Sequence, residues 1–380
     1  MERIYLDHAA TSPIHPNVLE KMVPVMEEVF GNPSSIHSFG RDSRRLLDEA
    51  RETIASVINA SAKDIVFTSG GTEADNMAIV GTAMAHQQKG KHIITTTIEH
   101  HAALHACKHL ESIGFEVTYL PVNEKGVISM KDFKEALRDD TILVTIMYGN
   151  NEVGSLQPIS EIGQILANHQ AYFHTDAVQA FGVLSVDVQK LQVDLLSASS
   201  HKINGPKGTG FLYVREGLKL APISYGGEQE LKRRAGTENV HGILGFAEAV
   251  KISESLREEK VKEYQQFKQS MVDTFKEYGL TFEVNGEQNE SLPHILNIHF
   301  PGTNVETLLV NLDLVGIAAS SGSACTAGSV DPSHVLVAMF GKDSEKVTSS
   351  IRFSFGLGNT IDQIQAASVK VAQVVQRLTA

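Results

Sequence analysis

The chain has few cysteines, no long apolar run and too little positive charge to balance its acidic residues. Two cysteines among 380 residues cannot form a disulfide framework, and they favour a reducing, bacterial-type cytosol. No apolar run approaches the about 18 residues that would indicate a membrane span, and we expect no signal peptide. These absences predict a cytoplasmic protein that does not enter a membrane.

Negative charge dominates, with 45 acidic against 33 basic residues and a net charge of −12. This balance argues against direct binding of nucleic acid, because such binding depends on many lysine and arginine contacts to phosphate. A cluster of histidines at 100, 101, 105 and 109 suggests a metal site. Because no third-ligand pattern accompanies their helical spacing, we interpret them as ordinary helix residues and expect no metal.

Short apolar runs alternate with helical patterns from residue 64 to about residue 214. This alternation predicts an α/β fold whose large domain has a mainly parallel seven-stranded sheet, covered on both faces. The predicted strands are 64–69, 91–97, 115–120, 141–147, 171–175, 194–199 and 210–214. The predicted helices between them include 72–88, 100–112, 130–138 and 159–169. A ligand of such a sheet lies beyond the carboxyl ends of its strands.

A long helical pattern over 239–278 then leads into a smaller α+β domain. Its predicted strands are 294–300, 315–320 and 350–354, and its predicted helices are 304–313, 332–340 and 361–378. We place the large domain at 13–250. The small domain takes 251–380 together with the N-terminal residues 1–12.

Lys202 follows the apolar run 193–196 and precedes the glycine-rich turn 203–208. A partly buried lysine at a strand end can lose its proton and form a Schiff base, as enzymes that use pyridoxal 5′-phosphate (PLP) require. Most lysines are instead solvated surface charges. Other segments must therefore decide between these two interpretations.

Asp176 ends a short apolar strand, where a carboxylate could keep the pyridine nitrogen of PLP protonated. The same residue could simply cap a following helix. Gln179 could bond the phenolic oxygen of PLP or lie on a helix surface. In a third segment, a strand leads through Gly70 and Gly71 to Thr72 and a helix, which suits phosphate binding through free amides, helix dipole and hydroxyl.

Cys325 lies in the small, polar, glycine-containing segment 320–329. We predict a mobile loop there, and a thiol on such a loop suits a nucleophile that reaches a bound substrate and then leaves with a transferred group. The other cysteine, Cys107, falls in a helical pattern and is interpreted as structural.

Together these segments resemble the cysteine desulfurases of the bacterial iron–sulfur and nitrogen-fixation type, which belong to the class-V aminotransferases of PLP fold type I. The likeness runs in order from residue 5 to residue 358, with His8 and Ser12 as small departures from the usual opening. Further matching segments are Tyr5-Leu6-Asp7-His8-Ala9-Ala10-Thr11, Gly31-Asn32-Pro33-Ser34-Ser35, Thr97-Ile98-Glu99-His100, Asn150-Asn151-Glu152-Val153-Gly154 and Ser349-Ser350-Ile351-Arg352-Phe353-Ser354.

The resemblance implies a role for each matching residue. Lys202 would bind PLP covalently, His100 would stack on its ring and help move protons, Asp176 would pair with the pyridine nitrogen and Gln179 with the phenolic oxygen. The residues implied around the phosphate are Gly71, Thr72, Ser199, His201 and, from the other subunit of a homodimer, Thr237. Asn151 would contact cofactor and substrate, and Arg352 would bind the substrate carboxylate, for which its planar fork is suited.

The implied activity converts L-cysteine to L-alanine and leaves the sulfur as a persulfide on Cys325. The implied partners are protein sulfur acceptors, either an iron–sulfur scaffold or a tRNA-thiolation enzyme. A selenocysteine lyase or desulfinase, an aminotransferase of the same fold, and a sulfur carrier without PLP remain alternatives. The segment around Cys325 favours the desulfurase, because an aminotransferase would have no use for that thiol.

Overall fold

The computed structural model describes residues 3–322 and 332–380, in which helices alternate with strands. The strands are β1 (Ile4–Tyr5), β2 (Ile65–Thr68), β3 (His92–Thr96), β4 (Glu116–Leu120), β5 (Thr141–Thr145), β6 (Tyr172–Asp176), β7 (Leu195–Ser199), β8 (Gly210–Val214), β9 (Glu283–Asn285), β10 (Ile295–His299), β11 (Ile317–Ala318) and β12 (Ser350–Ser354). The helices are α1 (Pro16–Glu28), α2 (Ser38–Val57), α3 (Gly71–His86), α4 (His101–Ser112), α5 (Met130–Ala136), α6 (Ile159–Leu166), α7 (Val188–Leu191), α8 (Gln229–Lys232), α9 (Val240–Glu277), α10 (Val305–Leu314), α11 (His334–Phe340), α12 (Lys346–Ser349) and α13 (Ile361–Thr379).

A seven-stranded sheet with the order β2-β8-β7-β6-β5-β3-β4 forms the centre of the fold. The strands from β7 to β4 pair in parallel, whereas β8 pairs antiparallel with both β2 and β7. Each strand lies within two residues of its prediction. The predicted α/β class with a mainly parallel seven-stranded sheet is therefore confirmed.

Both faces of this sheet are buried, which explains why its strands are apolar runs rather than alternating patterns. Neighbouring residues of a strand point to opposite faces. Leu195 therefore joins the core under α3, and Leu196 joins the core on the other face, formed with α2, α6 and α9. Ile93 and Ile94 divide in the same way between the two faces of the sheet, Ile93 in a further cluster with residues of α3 and α4 and Ile94 in the core that contains Leu196. Helices thus cover the sheet on both sides, and its ligand-binding edge is left at the strand ends.

The C-terminal part has its own small sheets and its own core. The antiparallel sheet β12-β10-β9 lies beside the parallel pair β1-β11, so the N-terminal strand joins elements more than 300 residues away. Helix α9, 38 residues long, connects the two cores. Phe246 packs in the core of the large sheet, whereas Phe267 and Phe275 pack in the C-terminal core.

The observed β11 covers only Ile317–Ala318, within the longer strand predicted over 315–320. Just beyond it, Ser320 makes an isolated antiparallel bridge with Arg352. In the described parts of the chain, no helix is both long and apolar enough to cross a membrane.

Candidate active site

A cavity of about 450 Å³ opens beyond the carboxyl ends of the central strands. Ten of the twelve residues proposed from the sequence line it: Gly71, Thr72, His100, Asn151, Asp176, Gln179, Ser199, His201, Lys202 and Arg352. Thr237 is not among the lining residues and is exposed to solvent. Cys325 lies outside the described residues. The parallel sheet thus gathers side chains that are far apart in the sequence at one edge.

The turn between β2 and α3 brings backbone amides close to this cavity. Gly70 has φ 153°, a conformation that only glycine adopts easily. Gly71 begins α3, and a Cβ atom there would lie 2.7 Å from Val178 Cγ2, so a larger residue does not fit. The first turn of the 16-residue helix and the Thr72 side chain face the cavity. This arrangement can bind an anion through the helix N-terminus.

Lys202 is held by the carbonyl groups of the N-terminal segment. It ends a short 3₁₀ turn directly after β7, and its Nζ donates hydrogen bonds to the carbonyl oxygens of Ala9 (2.5 Å) and Ala10 (2.8 Å). Both alanines also line the cavity. The sequence alone does not indicate these contacts, because backbone carbonyls carry no residue-specific signal.

Asp176, at the end of β6, is buried, and its Oδ1 accepts a hydrogen bond from Val178 N (2.8 Å). Burial raises the pKa of this carboxyl to about 6, and the Val178 amide and the charge of Lys202 oppose the shift. A cationic nitrogen beside this carboxyl would favour its ionised form. The contact to Val178 closes a turn, and the next helix, α7, begins only at Val188, so the interpretation of Asp176 as a helix cap is wrong.

Asp75 is a further cavity residue that the sequence reasoning did not identify. It is fully buried, and burial together with the nearby Asp176 raises its pKa. The buried His174 lies beside it and contacts Thr145 Oγ1 (2.8 Å) and Ser197 Oγ (2.9 Å). Its spacing in the sequence could have identified it, because Asp75 follows Gly71 by four residues and so lies on the same face of α3.

His100 caps the N-terminus of α4, where its Nδ1 accepts a hydrogen bond from Ala102 N (3.2 Å). Burial, and secondly the charge of Lys202, lower the pKa of the imidazole to about 4. The ring is therefore neutral near pH 7, and its proton is on Nε2. A neutral aromatic ring in this position can stack on a flat cationic ligand without charge repulsion.

His201 and Ser199 flank the candidate phosphate position on the β7 side of the cavity. His201 Nδ1 lies 3.1 Å from Thr11 Oγ1. Burial, then the charges of Lys202 and Lys207, lower the pKa of His201 to about 4, so this ring is also neutral near pH 7. It can contribute a single N–H to an anion.

Arg352 enters the cavity from β12 of the C-terminal part of the chain. Its Nη2 forms an ion pair with Asp7 Oδ1 at 2.7 Å, and its Nη1 donates to the carbonyl oxygen of Asn151 at 2.8 Å. The guanidinium is only 2 % exposed and is thus fixed in direction. A fixed guanidinium lining a cavity can bind a carboxylate.

These side chains fit PLP. The cavity contains a lysine amine for its aldehyde, a buried carboxylate for its pyridine nitrogen and an anion-binding helix N-terminus for its phosphate. Within the described parts of the chain, no group of three or more His, Cys, Asp or Glu side chains is arranged to hold a metal ion. Cys107 is buried in α4 away from the cavity, and burial raises the pKa of its thiol to about 12.

Comparisons with known proteins agree with this geometry. The family model for class-V aminotransferases matches residues 4–367. A protein of Bacillus subtilis (strain 168), whose name assigns it to the cysteine desulfurases IscS, is 64% identical over 379 residues, and the alignment covers 100% of each chain. The cysteine desulfurase IscS of Methanosarcina thermophila is 47% identical and covers 99% of this chain and 92% of its own.

Solved structures give the same result. A structure described as a NifS-like protein superposes with a TM-score of 0.92 at 34% identity and covers 99% of this chain and 100% of its own. A structure of SspA in complex with cysteine has a TM-score of 0.80 at 37% identity, with 92% of this chain and 98% of that chain covered.

Proposed function

This chain belongs to the class-V aminotransferase family and is a PLP-dependent cysteine desulfurase; we propose that it stores the sulfur of L-cysteine as a persulfide on Cys325 and that the residues lining the cavity perform the steps described below. The observation that carries this assignment is the convergence of Lys202, Asp176 and Arg352 on one cavity beside the N-terminus of α3. These groups provide, respectively, a site for the cofactor, for its ring nitrogen and for the substrate carboxylate.

Lys202 would hold the PLP aldehyde, Asp176 the pyridine nitrogen, and Gln179 the phenolic oxygen. The phosphate would lie against Gly71, Thr72, Ser199 and His201. When bound, PLP supplies an electron sink that stabilises negative charge on the substrate. An ionised Asp176 keeps the ring nitrogen protonated, which that electron sink requires.

The substrate would be oriented by Arg352 and Asn151. Arg352 would bind its carboxylate, since the guanidinium is fixed by Asp7 and by the Asn151 carbonyl. Lys202, whose side chain lines the cavity, would carry the proton to and from the substrate carbon atoms. His100 would keep the ring in place by stacking, as its neutral state allows.

Cys325 would take the sulfur as a nucleophile. An S–S bond forms between Cys325 and the substrate sulfur as the C–S bond breaks, and the electron pair of that bond stays with the carbon fragment. In the net exchange, the substrate carbon replaces SH by H, and the Cys325 thiol becomes a persulfide. Atoms and electrons therefore balance without an added oxidant or reductant.

We further propose a homodimer in which Thr237, exposed on its own chain, completes the phosphate site of the partner subunit. Its sulfur acceptors would be an iron–sulfur scaffold or a tRNA-thiolation enzyme. Transfer to tRNA would go through such a protein, because the net charge of −12 disfavours direct nucleic-acid binding. A reducing cytoplasm suits an enzyme that depends on a free thiol.

Mass spectrometry of the holoenzyme after addition of L-cysteine tests the proposal. The peptide that contains Cys325 should gain one sulfur atom, and the peptide with the buried Cys107 should not, so Cys107 is an internal control. Cys325→Ser should still bind PLP and cysteine but release almost no alanine. Full alanine release by Cys325→Ser would instead indicate a lyase that needs no thiol.

A further inference from the structure

His294 contacts Gln179, one of the residues that line the cavity, although 115 residues separate them in the chain. Its Nε2 lies 3.2 Å from Gln179 Oε1. At the other end of the same amide, Gln179 Nε2 donates a hydrogen bond to the carbonyl oxygen of Ala9 at 2.9 Å. Both side chains are buried. The two contacts hold the Gln179 amide at both of its ends.

These contacts define which atoms carry the hydrogens. A backbone carbonyl only accepts hydrogen bonds, so the nitrogen end of the Gln179 amide must face Ala9 and the oxygen end must face His294. His294 Nε2 must therefore carry a hydrogen and donate it to Gln179 Oε1. Its Nδ1 is buried and has no hydrogen-bond partner in the described part of the chain. The imidazole thus has one role here, as a donor through Nε2.

The surroundings of His294 keep this arrangement unchanged around neutral pH. Burial lowers the pKa of the ring to about 3, and protonation of Lys268, His8 or Lys202 and the charge of Arg352 act in the same direction. The ring is therefore neutral, with its single proton on Nε2 as the Gln179 contact requires. A second proton, on Nδ1, would have no acceptor among the described residues.

We propose that His294 is a positioning residue that fixes the Gln179 amide so that its second N–H donates to the phenolic oxygen of bound PLP. The first N–H is used by Ala9, which leaves the other for the cavity that Gln179 lines. The inference rests on the role of Gln179 in the proposed function. Without the His294 donor, the buried Gln179 oxygen would lack a partner and would be free to turn toward the cavity.

The Ala9 carbonyl also connects this contact to the cofactor lysine, because it accepts a hydrogen bond from Lys202 Nζ at 2.5 Å. A donor to the phenolic oxygen of PLP stabilises negative charge on that oxygen. The oxygen then attracts the proton on the adjacent Lys202 nitrogen less strongly, and this nitrogen loses its proton at lower pH. Loss of the donor should raise the pH at which the absorption of the bound cofactor titrates by about one pH unit.

Three variants of the holoenzyme separate this effect from packing. His294→Phe keeps the volume of the ring and removes the donor. In His294→Gln the amide nitrogen can reach about the position of Nε2, whereas in His294→Asn it reaches only the position of Nδ1. We expect His294→Phe and His294→Asn to raise the midpoint of the absorption titration and His294→Gln to restore it. Thermal unfolding and PLP content measured on the same samples report separately on the fold.

The fourth variant, Gln179→Leu, tests whether His294 acts through Gln179. Gln179→Leu by itself should raise the midpoint of the absorption titration. Adding His294→Phe to Gln179→Leu should raise this midpoint no further. An equal additional rise in the double variant would overturn the proposal, as would an unchanged midpoint in His294→Phe beside a raised one in Gln179→Leu. An unchanged midpoint in Gln179→Leu would instead reject the role of Gln179 itself. Should His294→Phe not fold, equal midpoints for the Asn and Gln variants would refute the role of His294.

Discussion

Asp7 Oδ1 lies 2.7 Å from Arg352 Nη2, and the two residues are 345 positions apart in the chain. The ion pair fixes the direction of a guanidinium that is 2 % exposed, and it also neutralises the charge that a substrate carboxylate would use. With Arg352 binding the substrate carboxylate as proposed, Asp7 would therefore affect substrate affinity as well as structure. It also places a carboxylate close to the position that Arg352 would give to the carboxylate of cysteine.

We expect Asp7→Asn to bind amino-acid carboxylates more tightly. The asparagine oxygen can still accept from Arg352, so the guanidinium keeps its direction, but the repulsion from the Asp7 charge is gone. The affinity for L-alanine, measured by the absorption change of the bound cofactor, should rise roughly three- to tenfold. Weaker binding would show that the ionic form of Asp7 is needed to hold Arg352. Asp7→Leu is the control, because it should lose both the fixed direction of the Arg352 guanidinium and the affinity for L-alanine.

Asp176→Asn should fold and bind PLP but turn over slowly. An amide cannot stabilise a protonated pyridine nitrogen as a carboxylate does, so the ring loses its capacity to accept electrons. The rate should fall by roughly two to three orders of magnitude, as when one group that stabilises a transition-state charge is removed. Single-turnover alanine formation is the measurement, and thermal unfolding is the control. A rate near that of the wild type would assign the ring proton to another group.

Thr237→Val should weaken PLP retention, whereas Thr237→Ser, which keeps the hydroxyl, should not. If the hydroxyl serves the partner subunit, mixing Thr237→Val with Lys202→Ala subunits creates one complete site in each mixed dimer. That site uses Lys202 from one chain and Thr237 from the other. Mixed dimers should therefore regain cysteine turnover that neither parent shows at limiting PLP. No regain, or a monomeric mass for the active species, would reject the shared site.

The buried carboxyl of Glu99 should make stability depend on pH. It accepts hydrogen bonds from Thr96 Oγ1 and Met147 N, yet burial raises its pKa to about 8. At pH values between the pKa of an unfolded glutamate and the pKa of Glu99 in the folded chain, the carboxyl is protonated in the folded chain and ionised in the unfolded chain. The contribution of Glu99 to the free energy of unfolding is therefore complete below the unfolded pKa of about 4.5 and is lost as the pH rises through 8.

Glu99→Gln should remove this dependence of the free energy of unfolding on pH. The free energy of unfolding of the variant should therefore rise relative to that of the wild type between pH 5 and pH 8, roughly the range between the two pKa values. Urea denaturation of the holoenzyme at several pH values measures it. Glu52→Gln, at an exposed position of α2, is the matched control and should follow the wild type. Parallel curves for Glu99→Gln and wild type would mean that the Glu99 carboxyl ionises alike in both states.

Local sequence patterns were sufficient for the central sheet. Apolar runs such as 141–147 and 194–199 end within two residues of the observed β5 and β7. The residues that follow these strands, among them Asn151 and Lys202, could be grouped from the sequence alone because parallel strands end at the same edge. Helices α1 and α2 were not predicted, since the strand–helix alternation that guided the prediction starts only near residue 64. The strand β9 was not predicted either, because three residues are too few to show a periodic pattern.

The sequence by itself determined the strand–helix alternation, the residues at the strand ends and the likeness that names the cofactor and the reaction. Only the tertiary structure decided which distant groups complete the site. Ala9 contributes a carbonyl oxygen to Lys202 and Gln179, and Asp7 and His294 come from segments far from the residues they hold. No local periodicity encodes such contacts, because they depend on the pairing of β1 with β11 and on the packing of the C-terminal part against the central sheet.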